Sequence, residues 1–232
     1  MTHKSNKRFA LAFKFGVLGL FGLLLGFFAA QVGYQGYESE AFSPLNHTIS
    51  ELGNYGHSAL AVVLNGGLFF GGLSMAMWSL LSLSAMKDYF EKLVFFVIAV
   101  TFVSLATTGL FPLNVYHLHI VALSGFFYGG CVSSALFIIY IAAREQTRYP
   151  RWLIIPALLT LLSLSSFLFI PHLELGVESI SRPFYQELVV KLPRQTIWWP
   201  AVLEWLSLCL FLGWNSCMLR YVKPSERDPC TR

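Results

Sequence analysis

Apolar residues run along this chain in six blocks, each closed by a short polar or turn-forming stretch: about Leu11–Ala30, Leu60–Met86, Leu93–Leu113, His119–Ala143, Trp152–Ile170 and Ala201–Leu219. A helix of about 20 residues crosses a hydrocarbon layer of roughly 30 Å. The pattern therefore predicts an all-α fold, a six-helix transmembrane bundle forming a single integral membrane domain over residues 1–232, with no room for a second domain.

The small and polar residues inside these blocks predict how they pack. Gly16, Gly19, Gly22 and Gly26 recur at three- and four-residue spacing on one face of the first span, and Gly125 and Gly129 do so in the fourth. Such faces let helices approach closely. The second span carries Asn65, an amide that needs a partner at that depth because an unpaired polar group in hydrocarbon costs a few kcal/mol. Pro112 and Asn114 end the third span, and the chain returns at once through His117 and His119, so spans three and four are antiparallel neighbours. Two connections are longer, residues 31–58 and 171–200. In the second of these Ser181-Arg182-Pro183 can open an interfacial helix with Phe184, Leu188 and Leu192 on one side.

Charge adds an orientation. With the amino terminus inside, all 16 basic residues except Arg182, Lys191 and Arg194 fall on the cytoplasmic side, as short cytoplasmic loops require. Both termini are then cytoplasmic, the two longer loops lie outside, and the location expected is the inner (cytoplasmic) membrane, as a multi-pass protein. A first block preceded by Lys4, Lys7 and Arg8 is similar to a secretory signal, but Phe27 and Phe28 stand where cleavage needs a small side chain, so it reads as a retained span. At 56% hydrophobic and 12% charged residues, the composition agrees with a membrane protein. The net charge of +4 is dispersed, which suits anionic lipid heads and gives no footprint for nucleic acid. None of the four cysteines falls in an outer loop, so no disulfide framework is expected.

Candidate chemistry gathers on the outer side. His47, His57, His117, His119 and His172 all fall there, with Glu51 and Glu204. Histidine and carboxylate together serve proton transfer or metal binding. If residues 47–51 are helical, His47 and Glu51 share a face as a half-site; Thr48-Ile49-Ser50-Glu51 is equally a capping box. His119 opens the fourth span and is expected to face the bundle, whereas His117, about 200° away on a helix, is expected to meet water or headgroups. Glu204, about one turn inside the sixth span, is the most informative acid, since an intramembrane carboxylate is usually paired or functional. No Gly-x-Ser-x-Gly elbow surrounds Ser50 to mark it as a nucleophile. The expectation is that Glu51, His119 and Glu204 act as the catalytic group and converge with Asn54 in one outer pocket, where His47, Ser50, Asn54, Asn65 and His117 bind the ligand. If a metal is held, its ligands would be His47, Glu51 and His119, and zinc is the ion those donors suit.

The run His47-Thr48-Ile49-Ser50-Glu51-Leu52-Gly53, then Gly109-Leu110-Phe111-Pro112 with His119 opening the next span, then Glu204 and Trp214, resembles the bacterial integral membrane family known as domain of unknown function 998. The resemblance covers nearly the whole chain. Two positions depart from it: Asn114 stands where an acid is expected soon after Phe-Pro, and Trp205 follows Glu204 where the family tends to have arginine. Ile49-Ser50-Glu51-Leu52-Gly53-Asn54 is also similar, locally, to six-helix proteins that remodel the lipid of glycosylphosphatidylinositol anchors, which implies membrane lipid as the ligand class. The function expected is therefore an outward-facing His/Glu/Asn pocket that binds or modifies a lipid or other amphiphile. A small-molecule transporter and a non-catalytic membrane scaffold are the alternatives, and the oligomeric state is left open.

Overall fold

The computed structural model describes residues 3–36, 41–84, 86–170 and 196–222. Six long helices make up the described chain: α1 (His3–Val32), α3 (Ala61–Leu83), α4 (Tyr89–Leu110), α5 (Tyr116–Ala143), α6 (Ile154–Phe169) and α7 (Trp199–Leu219). All six are long and apolar enough to cross a membrane, which makes this a multi-pass membrane protein. A one-turn helix, α2 (Ile49–Leu52), lies between α1 and α3. The interfacial helix expected after Ser181, and His172, lie outside the described residues.

Each long helix packs on its sequence neighbour, and α7 returns to α1, so the six close a ring. Residues 86–88 and 144–150 lie at one end of this ring. Residues 33–36 and 41–60, the turn over 111–115 and the start of α7 lie at the other, together with α2.

The glycine pattern explains the tightest contact. A Cβ at Gly19 would stand 2.8 Å from the Gly71 carbonyl oxygen, and one at Gly26 would stand 3.3 Å from the Gly67 and Leu64 Cα atoms. The α1 and α3 backbones therefore touch without side chains between them. Residues on the other face of α1, Leu18, Phe21, Leu25 and Phe28, are exposed, as a lipid-facing surface requires. Gly125 and Gly129 of α5 sit against Ser104 and Thr101 of α4, the close contact predicted for that pair.

Helix α4 begins at Tyr89, four residues before the apolar block, because Asp88 caps it: its Oδ1 accepts from the Phe90 amide at 2.7 Å. The cap is tied down from the 144–150 loop. Asp88 Oδ2 meets the Arg144 guanidinium at 2.7 Å, and buried Glu91 takes Arg148 Nε at 3.1 Å and the Tyr149 hydroxyl at 3.0 Å. Burial and the Glu91 charge hold the Tyr149 phenol well above its ordinary pKa, so it stays a donor. Arg148→Ala leaves a buried carboxylate with the tyrosine alone and is expected to lower stability by about 2 kcal/mol in detergent unfolding. Arg144→Ala, at a more exposed pair, should cost no more than about 0.5 kcal/mol. Equal losses would remove the burial argument.

Candidate functional site

Residues 41–60 form a plug across the loop-rich end of the ring, held by hydrogen bonds to several helices. Gln35 and Gly36 amides donate to the His57 carbonyl, the Ala59 amide to Gly33, the Trp198 amide to Leu45, and Trp205 Nε1 to the His47 carbonyl at 2.9 Å. Tyr34, Phe42, His47 and Trp205 stack edge and face around that last contact.

The one turn of α2 is fixed by its own sequence. Thr48 Oγ1 accepts from the Glu51 amide at 3.2 Å, and Glu51 Oε2 accepts from the Thr48 amide at 3.1 Å, the two reciprocal bonds of a capping box. Of the two readings open for His47 and Glu51, this is the one realised: the helix begins at Ile49, after His47. The His47 ring lies against the backbone of Ser43 through Nδ1. Gly53 ends the turn at φ −83°, so a left-handed conformation does not explain the glycine. Close approach does, because a Cβ there would stand 2.6 Å from Asn65 Oδ1. Asn65 Nδ2 donates to the Gly53 carbonyl at 2.9 Å, which supplies the partner that its depth in α3 demands.

This capping leaves the Ser50 hydroxyl pointing into the ring. It lies 3.0 Å from Glu204 Oε1 of α7 and 3.0 Å from His119 Nε2 of α5. The other ring nitrogen, His119 Nδ1, is 2.8 Å from the Phe111 carbonyl oxygen, at the end of α4. Helices α5 and α7 and the plug thus meet at one hydroxyl, and the end of α4 reaches it through His119. Below it is a cavity with about 30 Å³ open to the centre of a water molecule, room for roughly two waters. Ser50, Asn65, Thr108, His119 and Glu204 give it polar groups, while Leu64, Leu68, Leu105, Leu123, Phe126 and Leu208 are among its apolar walls.

Counting protons along this chain restricts its states. A carbonyl only accepts, so Nδ1 carries a hydrogen, and Ser50 has a single hydrogen to give. Either a protonated Glu204 donates to Ser50 and Ser50 donates to a neutral His119, or His119 as imidazolium donates to Ser50 and Ser50 donates to the Glu204 carboxylate. The two differ only by the shift of protons along the line, and both carry no net charge. A site in which His119 and Glu204 are each 4% exposed can hold either, because no unpaired charge is buried. The arrangement is a hydrogen-bonded Ser/His/Glu group with the hydroxyl at its centre. Glu204 Oε2 is buried with no hydrogen-bond partner at ordinary distance among the described residues, and the Ser50 and Ile49 backbone amides lie close enough to act on the carboxyl group.

The structure brings His119, Glu204, Ser50 and Asn65 together and leaves other expected members outside. Glu51 is buried in the capping box and does not line the cavity. Asn54, expected in the same pocket, sits above it: its Oδ1 accepts from the Gly56 amide at 3.0 Å and from Asn114 Nδ2 at 3.1 Å. Two α5 positions before His119, His117 is exposed and edges onto Tyr116. Among the described residues no three His, Cys, Asp or Glu side chains form a group that could hold a metal, so His47, Glu51 and His119 do not make the zinc site considered above.

Three contacts escaped the sequence. Asn114, at one of the positions that departs from the family pattern, clamps the plug by accepting from the Tyr55 amide and donating to Asn54. Trp205, at the other, donates to the His47 carbonyl where an arginine would have carried charge. The Phe111 carbonyl that fixes His119 is backbone, and its only outward sign is Pro112, which ends α4 and turns the chain back.

A ring of six apolar helices closed at one end by a polar plug, with a buried Ser/His/Glu group beneath it, defines a multi-span helical membrane protein with an internal polar site. The chain belongs to the family described as protein of unknown function (DUF998), which it matches over residues 17–220. No curated protein and no solved structure matches it.

Proposed function

We propose that this protein sits in the cytoplasmic (inner) membrane of a bacterium, with both termini in the cytoplasm, and that its outward-facing site binds and modifies the polar end of a lipid or other amphiphile. The observation that carries this reading is the Ser50 hydroxyl held between His119 and Glu204 on top of an apolar-walled cavity. A buried hydroxyl with an acid and a base in contact offers proton transfer. The walls below it are apolar side chains, the surface that a hydrocarbon body would pack against on displacing them. The orientation is supported by Lys87, Lys92, Arg144 and Arg148 at one end of the ring, since short cytoplasmic loops collect basic residues.

Lipidomics of cells lacking the gene, complemented with wild type, His119→Gln or Glu204→Gln, tests the reading. The expected result is a lipid or amphiphile species that changes on deletion, returns with wild type, and does not return with either variant present at normal abundance. Rescue by both variants would favour a scaffold without chemistry. A changed distribution of a solute across the membrane, with unchanged lipid species, would favour a transporter.

A further inference from the structure

We propose that Ser50 is the nucleophile of an acyl-transfer reaction on a carboxylic ester of an amphiphile, with His119 as its base. This deepens the reading above and rests on it. The cavity is lined by two hydroxyls, and they differ in what they touch. Thr108 Oγ1 donates to the Leu105 carbonyl of its own helix, whereas Ser50 Oγ touches two ionisable side chains. His119 is set up as a base in the way a nucleophile requires: the Phe111 carbonyl holds the hydrogen on Nδ1 and turns the Nε2 lone pair toward Ser50. The orienting role that a carboxylate plays in a Ser-His-Asp group falls here to a backbone carbonyl. Glu204 stands on the other side of the serine, where its protonated form, donating to Ser50 Oγ, completes the neutral arrangement. Asn65 lines the same cavity and has a second Nδ2 hydrogen beyond the one given to Gly53, a donor for the oxygen that becomes negative in the attack.

The steps balance. Ser50 Oγ bonds to the acyl carbon as its proton passes to His119 Nε2. The acyl carbon–oxygen bond of the ester then breaks, and the imidazolium returns that proton to the departing alkoxide. Water or a second alcohol next bonds to the acyl carbon and gives its proton to Nε2, and Ser50 Oγ leaves and recovers it. The net change is ester hydrolysis or transfer of the acyl group between two oxygens. The cavity as it stands has room for roughly two waters, so the ester enters with displacement of Leu64, Leu105, Phe126 or Leu208, and its chain lies among them.

Full-length protein in nanodiscs is treated with a long-chain alkyl fluorophosphonate, which loses fluoride when a serine oxygen bonds to phosphorus. Intact mass should show one alkylphosphonyl adduct per chain, and peptide mapping of the wild type should place it on Ser50. The adduct should be absent in Ser50→Ala and form at least tenfold more slowly in His119→Gln, with the folding of each variant checked by thermal unfolding. No adduct on the wild type, or an adduct mapped to another residue, overturns the proposal even if the lipid change in cells still depends on His119; in that case amphiphile binding and modification stand without a serine nucleophile. If Ser50→Ala fails to fold, the mapped position and the His119→Gln rate decide.

Discussion

Glu204→Leu is expected to destabilise the protein by about 3 kcal/mol, the cost of leaving buried partners unsatisfied when one member of a buried polar group is removed. The loss arises because the Ser50 hydroxyl and the His119 ring, both buried, were balanced against that carboxyl. Glu204→Gln keeps an acceptor on Ser50 and a similar volume, so it should cost only about 1 kcal/mol. His119→Leu alone should cost about 2 kcal/mol, and the double variant His119→Leu/Glu204→Leu distinctly less than the sum of the singles, because each removes the charge or donor that the other leaves unpaired. Thermal or denaturant unfolding in one detergent reads all four proteins. Additive losses would show that the two side chains do not share Ser50.

A second large effect is expected where α4 meets α3. A Cβ at Gly109 would collide with the Asn65 carbonyl oxygen and would stand 2.8 Å from the Phe69 amide nitrogen, both backbone atoms that cannot step aside. Gly109→Leu should therefore push α3 away from α4, with a loss of more than about 3 kcal/mol, and should shift Asn65 from the Gly53 carbonyl it supports. Gly66, in the same part of α3, has open space where its Cβ would be. Gly66→Leu should change stability by less than about 1 kcal/mol, in the favourable direction expected when a helical glycine is replaced. The comparison separates close approach from any general need for glycine in a membrane helix. Equal losses at the two positions would remove it.

These effects show how far the sequence could be read. The spans were legible because an apolar block long enough to cross a bilayer has few other uses, and the block containing Gly19 announced its contact through spacing alone. Their ends were less legible: Asp88 starts α4 inside a charged stretch that hydropathy assigns to the connection. In the site, His119 and Glu204 stood out as ionisable groups at the mouths of apolar helices, and Asn65 as an amide in need of a partner. Ser50 did not stand out as the meeting point. Serine is common at helix starts, and nothing local shows that a one-turn helix will be laid across the mouth of the ring with this side chain inward. Glu51 drew attention by its charge, yet its carboxylate serves the turn that aims Ser50. Asn54 and Asn114 are sixty positions apart, and their contact exists only once the plug is in place. The orienting carbonyl of Phe111 has no side-chain signature at all.

The central claim is that Ser50 joins His119 to Glu204 through hydrogen bonds inside the bundle. Nitrogen-15 resonances of the histidine rings in lipid bilayers test it most directly, with those of His119 identified by their loss in His119→Gln. The account predicts that Nδ1 of His119 is protonated, that Nε2 shifts strongly in Ser50→Ala, and that it shifts again in Glu204→Gln although Glu204 reaches the ring only through the serine. His119 resonances that stay unchanged in both variants would contradict it.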